Sequence, residues 1–366
     1  MYSKTCFHNQ NIKYGAKMTQ MFGYDLPWEF AAGGEAEHMA VREKAGMVDL
    51  GYMAKFHITG VNSLRFLQML LTTDVGTLKN GQIKYAAMCN ENGLMIDDCT
   101  IWKYKDDEYV LVTGDESDKS WIMDQSRGFG LNIINDTFST GALQVQGPFA
   151  HDIMRDFTGL DPKSIGYYNF RELTIYGHYV VAAKMNFTGS GGFEFHVAYK
   201  DAEWLFEKLL DIGMEYGMML FGQRALESLR QEGGFLLVGQ DHDKTANPLE
   251  VGIGQVVKFE KDTFNGKAAL EKIAKKGVKT RLVWLNITDG TEPRSGDKVI
   301  LCGKQVGVVT SGSYSPASGK GVAMARVQVG NVFPGLTYRV FTDDIGHDAS
   351  LSPVPLYDPA HEIRRL

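Results

Sequence analysis

The densest concentration of usable chemistry in the chain is Asn92-Gly93-Leu94-Met95-Ile96-Asp97-Asp98-Cys99-Thr100-Ile101-Trp102. Side chains alternate along a strand, so Asp98, Thr100 and Trp102 share one face while Asp97, Cys99 and Ile101 share the other. One of the two carboxylates therefore turns toward the interior or a cavity. There it needs partners or its pKa rises, and such a group can act as a general base or stabilise charge. The competing reading is a strand-end aspartate capping a turn. Alternation alone does not choose between Asp97 and Asp98.

A second stretch, Phe187-Thr188-Gly189-Ser190-Gly191-Gly192-Phe193-Glu194-Phe195, is a Gly-rich turn entering a strand. Two phenylalanines flank Glu194. If the carboxylate faces a pocket, its oxygens suit a ligand with two parallel N–H groups, as on a pterin or guanine edge. Otherwise it is the solvent-facing residue of a hairpin. No strand–GxGxxG–helix order surrounds these glycines, so they are not a nucleotide fingerprint. In Gly222-Gln223-Arg224-Ala225-Leu226-Glu227, Arg224 stands near a helix start. The helix dipole favours an acid there, so the cation points to an anionic ligand, a buried partner, or an ordinary pair with Glu227. Tyr85, Tyr167 and Tyr168 are either stacking platforms for a flat heterocycle or core tyrosines. Asp241-His242-Asp243 has the look of a metal triplet. Before Asn247-Pro248 it reads better as a turn, and no metal set is expected.

These residues need a scaffold. Hydrophobic periodicity predicts helices over 35–45 (with Gly46 as C-cap), 63–71, 119–125, 202–216, 223–231 and 267–274. Strands are expected at 55–59, 85–89, 94–102, 108–113, 142–146, 172–176, 179–185 and 192–198, with Asn90-Glu91-Asn92-Gly93 as a hairpin turn. The residues ahead of the first helix read as a polar lead-in. Lys275-Lys276-Gly277 is a charged break, and beyond it the pattern is almost purely β, at 282–286, 298–301, 304–311, 321–327 and 337–341. The class is α+β with an all-β C-terminal unit. Helices and strands do not alternate regularly, which disfavours a doubly wound sheet.

The chain has 366 residues, 44% apolar and 22% charged, with a net charge of -6. Acidic and basic residues are mixed, and no basic run tracks a phosphate backbone, which argues against nucleic acid. The N-terminal residues carry no apolar signal core, and no apolar run reaches membrane-spanning length. Cys6, Cys89, Cys99 and Cys302 form no CxxC pair and read as reduced thiols. The expectation is a cytoplasmic enzyme.

The stretches above, taken with Ala40-Val41-Arg42, Gly46-Met47-Val48-Asp49-Leu50, Gln146-Gly147-Pro148, Tyr167-Tyr168-Asn169-Phe170-Arg171, Asn247-Pro248-Leu249-Glu250-Val251-Gly252 and Val306-Gly307-Val308-Val309, resemble in order the aminomethyltransferase family, the T-proteins of glycine cleavage. The resemblance implies a three-lobed ring around a central folate cavity. Residues 1–275 would supply two lobes and residues 276–366 a β-barrel-like third. It implies tetrahydrofolate as the one-carbon acceptor. It selects Asp98 as the essential carboxylate near the reacting folate nitrogen and Glu194 as the pterin-edge residue. Tyr85 and Tyr167 become cavity residues, and Arg224 the folate-contacting arginine. Thr100, Trp102 and Phe187 join them as candidate folate contacts.

The sequence also departs from the family pattern. Lys184-Met185-Asn186-Phe187-Thr188-Gly189-Ser190 stands where Arg-Thr-Gly-Tyr-Thr-Gly-Glu is usual. Gly51-Tyr52-Met53 replaces Ser-His-Met, and Leu356-Tyr357-Asp358 replaces Phe-Tyr-Arg. The folate side is kept and the donor side is altered. The expected reaction is therefore demethylation of a small N-, O- or S-methyl donor to give methyl-tetrahydrofolate. The alternative is aminomethyl transfer from a lipoyl carrier protein, giving methylene-tetrahydrofolate. A non-catalytic folate-binding protein is the third reading.

Overall fold

The structure, a computed structural model, describes residues 2–360 and 362–363. The ends of the two expected domains, at residues 1 and 366, lie outside the described residues. The chain opens with α1 (His8–Lys13), the hairpin β1 (Lys17–Met21) and β2 (Tyr24–Glu29), then α2 (Gly34–Glu43) and β3 (Gly46–Asp49). Next come β4 (Ala54–Thr59), α3 (Ser63–Leu70), β5 (Gln82–Cys89), β6 (Met95–Lys105), β7 (Glu108–Thr113), α4 (Asp118–Gln125) and β8 (Asn132–Asn135). β9 (Thr140–Gln146), α5 (Ala150–Thr158), β10 (Asn169–Ile175), β11 (His178–Lys184), β12 (Gly192–Ala198), α6 (Ala202–Met214) and β13 (Met219–Leu220) follow. Then α7 (Gln223–Gly233) and α8 (Lys267–Lys276) lead to β14 (Thr280–Ile287), β15 (Lys298–Leu301), β16 (Lys304–Ser315), β17 (Lys320–Gln328), β18 (Thr337–Thr342) and β19 (Ile345–Ser352).

The first thirteen strands, β1 and β2 apart, form one 11-stranded sheet in the order β13-β3-β9-β12-β11-β10-β5-β6-β7-β4-β8. It is two half-sheets joined at a narrow seam, where Asn169 of β10 is the residue paired with Gln82 of β5. Each half covers one face with its own helices. Helices α5 and α6 supply Ile153, Phe157, Leu205 and Leu209 to the core over β9 and β12. Helix α3 supplies Phe66, Leu67 and Leu70 to the core over β4, β6 and β7. The opposite faces of both halves meet in a third cluster of Ile83, Trp102, Val112, Phe170, Val181 and Ala183. Strands buried on two faces are what such shared packing requires, and their sequences run nearly continuously apolar. The last six strands close a barrel around Leu285, Val299, Val309, Ala325 and Val340. The expected α+β architecture with a C-terminal barrel is therefore the observed one.

Several local expectations change. The first fifty residues are no mere lead-in: they hold α1, β1, β2 and β3 beside α2. Gly46 is not a C-cap. It starts β3 because α2 ends at Glu43 and the site is too tight for a side chain; a Cβ there would lie 2.4 Å from Val41 and 2.7 Å from Phe221. Lys275 and Lys276 form the last turn of α8, and Gly277 ends it with φ 85°. Helix α5 and strand β19 were not expected, although Ile153, Met154 and Phe157 give α5 an apolar face and Gly159 a C-cap at φ 73°. The Asn90–Gly93 turn forms as expected, with Gly93 at φ 75°.

Candidate active site

Strand β6 delivers Asp97 and Asp98 to different surroundings. Asp97 is fully buried. Its oxygens accept the backbone N–H groups of Asp98 (2.7 Å) and Gly114 (2.8 Å). Burial, then the neighbouring Asp118 and Asp98, push its carboxyl well above the usual range. Asp118 opens α4 and is itself raised to about 6 by burial. Asp97 thus keeps its proton and serves structure.

Asp98 is wired differently. Its side chain retains 17% exposure. Tyr85, one strand away on β5, donates its O–H to one carboxylate oxygen at 2.7 Å. Burial and the adjacent Asp98 push the phenol well up, so it stays a donor. The other oxygen lies 2.5 Å from Nε2 of the buried His242. Asp97, Asp98 and His242 bring three ligand atoms within 4.8 Å of one another. The Asp97 oxygens already accept two backbone N–H groups and the Asp98 oxygens face Tyr85 and His242, so lone pairs at this point are largely engaged within the protein.

The face alternation of β6 extends from Asp98 to the next two candidates. Trp102 donates its indole N–H to Thr100 at 2.9 Å. The Trp102 ring also meets His196 edge-on at 5.0 Å and Phe170 at 5.3 Å. Trp102 thereby links the two half-sheets, because His196 belongs to β12 and leads to Glu194. Glu194 is 3% exposed, which rules out the solvent-facing reading. Its oxygens already hold His196 (2.5 Å) and Gln144 of β9 (2.8 Å). Burial alone would raise this carboxyl, but His196, Gln144 and the nearby Lys55 outweigh it and hold it below the usual range. Each oxygen keeps a second lone pair for a ligand donor. Gln144 and His196 escaped the sequence reading. His196 was findable, being two residues from Glu194 on the same face; Gln144 required knowledge of the β9–β12 register.

The remaining candidates lie further out. Tyr167 packs edge-on against Tyr168 at 4.7 Å, and Tyr168 borders the inner cluster. Asn186 reaches the Tyr167 hydroxyl at 3.5 Å. Phe187 packs on Phe235 at 5.3 Å. Of the local options for Arg224, the structure takes the buried partner and not the pair with Glu227. Arg224 pairs with Glu29 of β2 at 3.0 Å, its side chain is 44% exposed, and it lines a cleft of 380 Å³ with Gly34, Glu292 and Pro316. Neither Asp98 nor Glu194 lines that cleft. Glu227 is instead held by Arg230, one turn further along α7. A side chain at a helix start can reach back to β2, and sequence spacing does not reveal that option.

Arg230 is the better-placed cation. It is fully buried and bonds Asp241 (2.7 Å), the Phe235 carbonyl (3.0 Å) and Ser311 of β16 (2.9 Å). Asp241 also accepts from Ser311 (2.6 Å), Thr310 (2.8 Å) and the N–H of Leu237 (3.0 Å). Helix α7, the loop and the barrel are knotted together at this point. His242 is the next residue, so the triplet sits on the expected turn, with Asp241 tied to Arg230 and the barrel and His242 facing Asp98. A second cleft, of 550 Å³, opens beside it between Trp121, Asp118, Val238 and Lys244.

The altered segments also converge. Arg42 bonds Ser190, the Thr188 carbonyl (2.9 Å) and Glu232 (2.7 Å), and its guanidinium covers the Tyr357 ring at 3.8 Å. Tyr52 turns away into the core, stacked on Phe22 at 5.3 Å.

A closed barrel follows a two-lobed sheet that carries a donor-bracketed carboxylate, and comparison with known proteins gives this arrangement a family. The GCVT N-terminal domain family matches residues 7–261, and the glycine cleavage T-protein C-terminal barrel domain family matches residues 280–358. The chain belongs to the glycine cleavage T-protein family. It is similar to an aminomethyltransferase of Lysinibacillus sphaericus, 35% identical over 328 residues, spanning 88% of this chain and 89% of that one. An aminomethyltransferase of Clostridium botulinum is 36% identical over 321 residues, spanning 86% of each. The crystal structure of the glycine cleavage system aminomethyltransferase T from Bartonella henselae superposes with a TM-score of 0.91 at 26% identity, covering 98% of this chain and 99% of that one. Among the described residues, no helix is long and apolar enough to cross a membrane.

Proposed function

We propose that the chain is an aminomethyltransferase that passes a one-carbon unit from an aminomethyl group on a lipoyl carrier protein to tetrahydrofolate, giving methylene-tetrahydrofolate. At the level of the family it is a tetrahydrofolate-dependent one-carbon transferase. The aminomethyl donor is favoured over the small methyl donor expected from the altered segments, because relatives at 35–36% identity over most of the chain carry the aminomethyltransferase name. The observation that carries the site is Asp98, held by Tyr85 at 2.7 Å and His242 at 2.5 Å on the face shared with Thr100 and Trp102.

The chemistry follows from that arrangement. The folate N5 amine attacks the aminomethyl carbon while the C–S bond breaks to a lipoyl thiolate. N10 then displaces ammonia from the same carbon to close the methylene bridge. The thiolate and the leaving amine take up one proton each, and N5 must give up its proton. Asp98 accepts it, while Tyr85 and His242 fix the carboxylate in place. Glu194, with lone pairs to spare, holds N–H groups of the pterin edge. Tyr167 and Phe187 offer aromatic surface to the cofactor, whereas Trp102, expected as a contact, is buried at 2% exposure against Phe170 and His196 and packs behind the site. Orientation can lower the barrier by about 7–11 kcal/mol at best, and a positioned carboxylate adds roughly 10²- to 10⁴-fold. Arg224 has no part in this scheme.

The test is to incubate the protein with tetrahydrofolate and either an aminomethyl-loaded lipoyl carrier or a panel of methylated amines, ethers and sulfonium compounds. Methylene-tetrahydrofolate formed with the carrier is the expected product. Methyl-tetrahydrofolate formed from a small donor would replace this reading with the demethylase. Asp98→Asn should keep the fold and lose about 10²-fold in turnover. Full turnover in that variant removes Asp98 from the mechanism.

A further inference from the structure

His242 contributes little that stability alone would select. The ring is completely buried. Its Nε2 faces Asp98 at 2.5 Å, and its Nδ1 has no hydrogen-bond partner. A buried polar atom left unpaired costs free energy, so an apolar side chain of similar size would serve packing better. The side-chain hydrogen bond that His242 does make goes to the carboxylate that takes the N5 proton.

Its backbone is held firmly. Asp241, the preceding residue, is clamped by Arg230 from α7 and by Thr310 and Ser311 from the barrel. The N–H of Gly239 donates to the His242 carbonyl at 2.8 Å. The ring therefore arrives at Asp98 on a rigid support, as a group that fixes another group must. Tyr85 on the second oxygen completes the bracket.

We infer that His242 is a positioning residue for the transfer: its Nε2–H holds Asp98 in the orientation that receives the N5 proton, and Asp241 and the barrel hold His242. No bond to His242 is made or broken; the proton moves from N5 to the Asp98 carboxylate, and Nε2 keeps the hydrogen it shares with Asp98. This inference rests on the one-carbon transfer reading.

The test compares His242→Leu with His242→Gln, whose amide can still donate from nearly the same place. In the Leu variant kcat should fall about tenfold or more, a usual size for a lost supporting contact, with the KM for tetrahydrofolate within about twofold. Its thermal stability should be unchanged or higher. The Gln variant should recover most of kcat. Wild-type kcat in the Leu variant, or equal losses in both, overturns the inference. A separate readout is the ¹⁵N spectrum of histidine-labelled wild-type protein, which should show His242 protonated on Nε2. Asp98→Asn should shift that signal, and an unmoved signal overturns the contact whether or not any donor is turned over. Wild-type protein that transfers no one-carbon unit defeats the proposed function instead, and leaves the spectrum to decide the pair.

Discussion

Replacing Arg230 by methionine would test how the three lobes are held together. The substitution keeps an unbranched apolar stem and removes the charge. Asp241, which is fully buried, then loses its cation. Removing one partner of a buried ion pair typically costs about 3–5 kcal/mol, because the other charge is left without compensation. Here Asp241 keeps three neutral donors, from Ser311, Thr310 and the Leu237 N–H. That moves the expected loss to the lower end, about 3 kcal/mol. Urea unfolding at neutral pH measures it directly. The partner variant Asp241→Asn removes the charge from the other side. If the pair is what matters, the double variant should be more stable than the sum of the two single losses by at least about 2 kcal/mol. A loss under about 1 kcal/mol for Arg230→Met would refute the reasoning, as would additivity within about 0.5 kcal/mol. Turnover should fall in Arg230→Met, because the support of His242 goes with the pair.

Two further outcomes follow from the same physics. Burial tends to raise the Glu232 carboxyl, but His38, Arg42 and Ser315 outweigh it and hold it at about 2, against an ordinary 4.5. A depressed carboxyl stabilises the fold above its unfolded pKa and loses that contribution as pH falls toward its folded one. Glu232 should therefore add about 3 kcal/mol at neutral pH, fading between 4.5 and 2; urea midpoints at pH 7 and pH 3 should show the gap between wild type and Glu232→Gln shrinking in acid, and a constant gap would sink the assignment. Gly192→Ala places a Cβ 2.2 Å from the Val145 carbonyl at a φ of +149°. It should cost at least about 2 kcal/mol in thermal or chemical unfolding and, by displacing Glu194 on the same strand, raise the KM for tetrahydrofolate; a variant as stable as wild type would show that β12 has room to relax.

What could be read from the sequence was governed by distance along the chain. The shared face of Asp98, Thr100 and Trp102 follows from the two-residue period of a strand, and the structure keeps it. Two features of the Glu194 surroundings were also local, namely its strand and His196. The partners that decide each role are remote. His242 lies 144 positions from Asp98, and Gln144 lies 50 from Glu194. No periodicity reaches across such separations. Arg224 shows the opposite error: its nearest acidic neighbour in sequence was Glu227, yet the helix start faces β2, and the pair formed is with Glu29, 195 positions away. The missed elements α1, β1 and β19 carry few apolar residues in regular order, so tertiary pairing and not hydrophobic pattern defines them, whereas β2, with Tyr24 and Leu26 buried, carried a readable pattern.

The clamp on Asp241 also bears on how the protein comes to life on the ribosome. Synthesis proceeds from the N-terminus, and domains fold largely in that order. Both half-sheets, Asp98 and His242 are made before Thr310 and Ser311 exist. Until those two hydroxyls arrive, Asp241 lacks its two hydroxyl contacts from the barrel and Arg230 lacks its bond to Ser311, so the neighbouring imidazole has an incomplete anchor. Competence is therefore acquired late, with the closing of the last domain, and a chain truncated within that domain would carry its acidic residue without the framework that aims it.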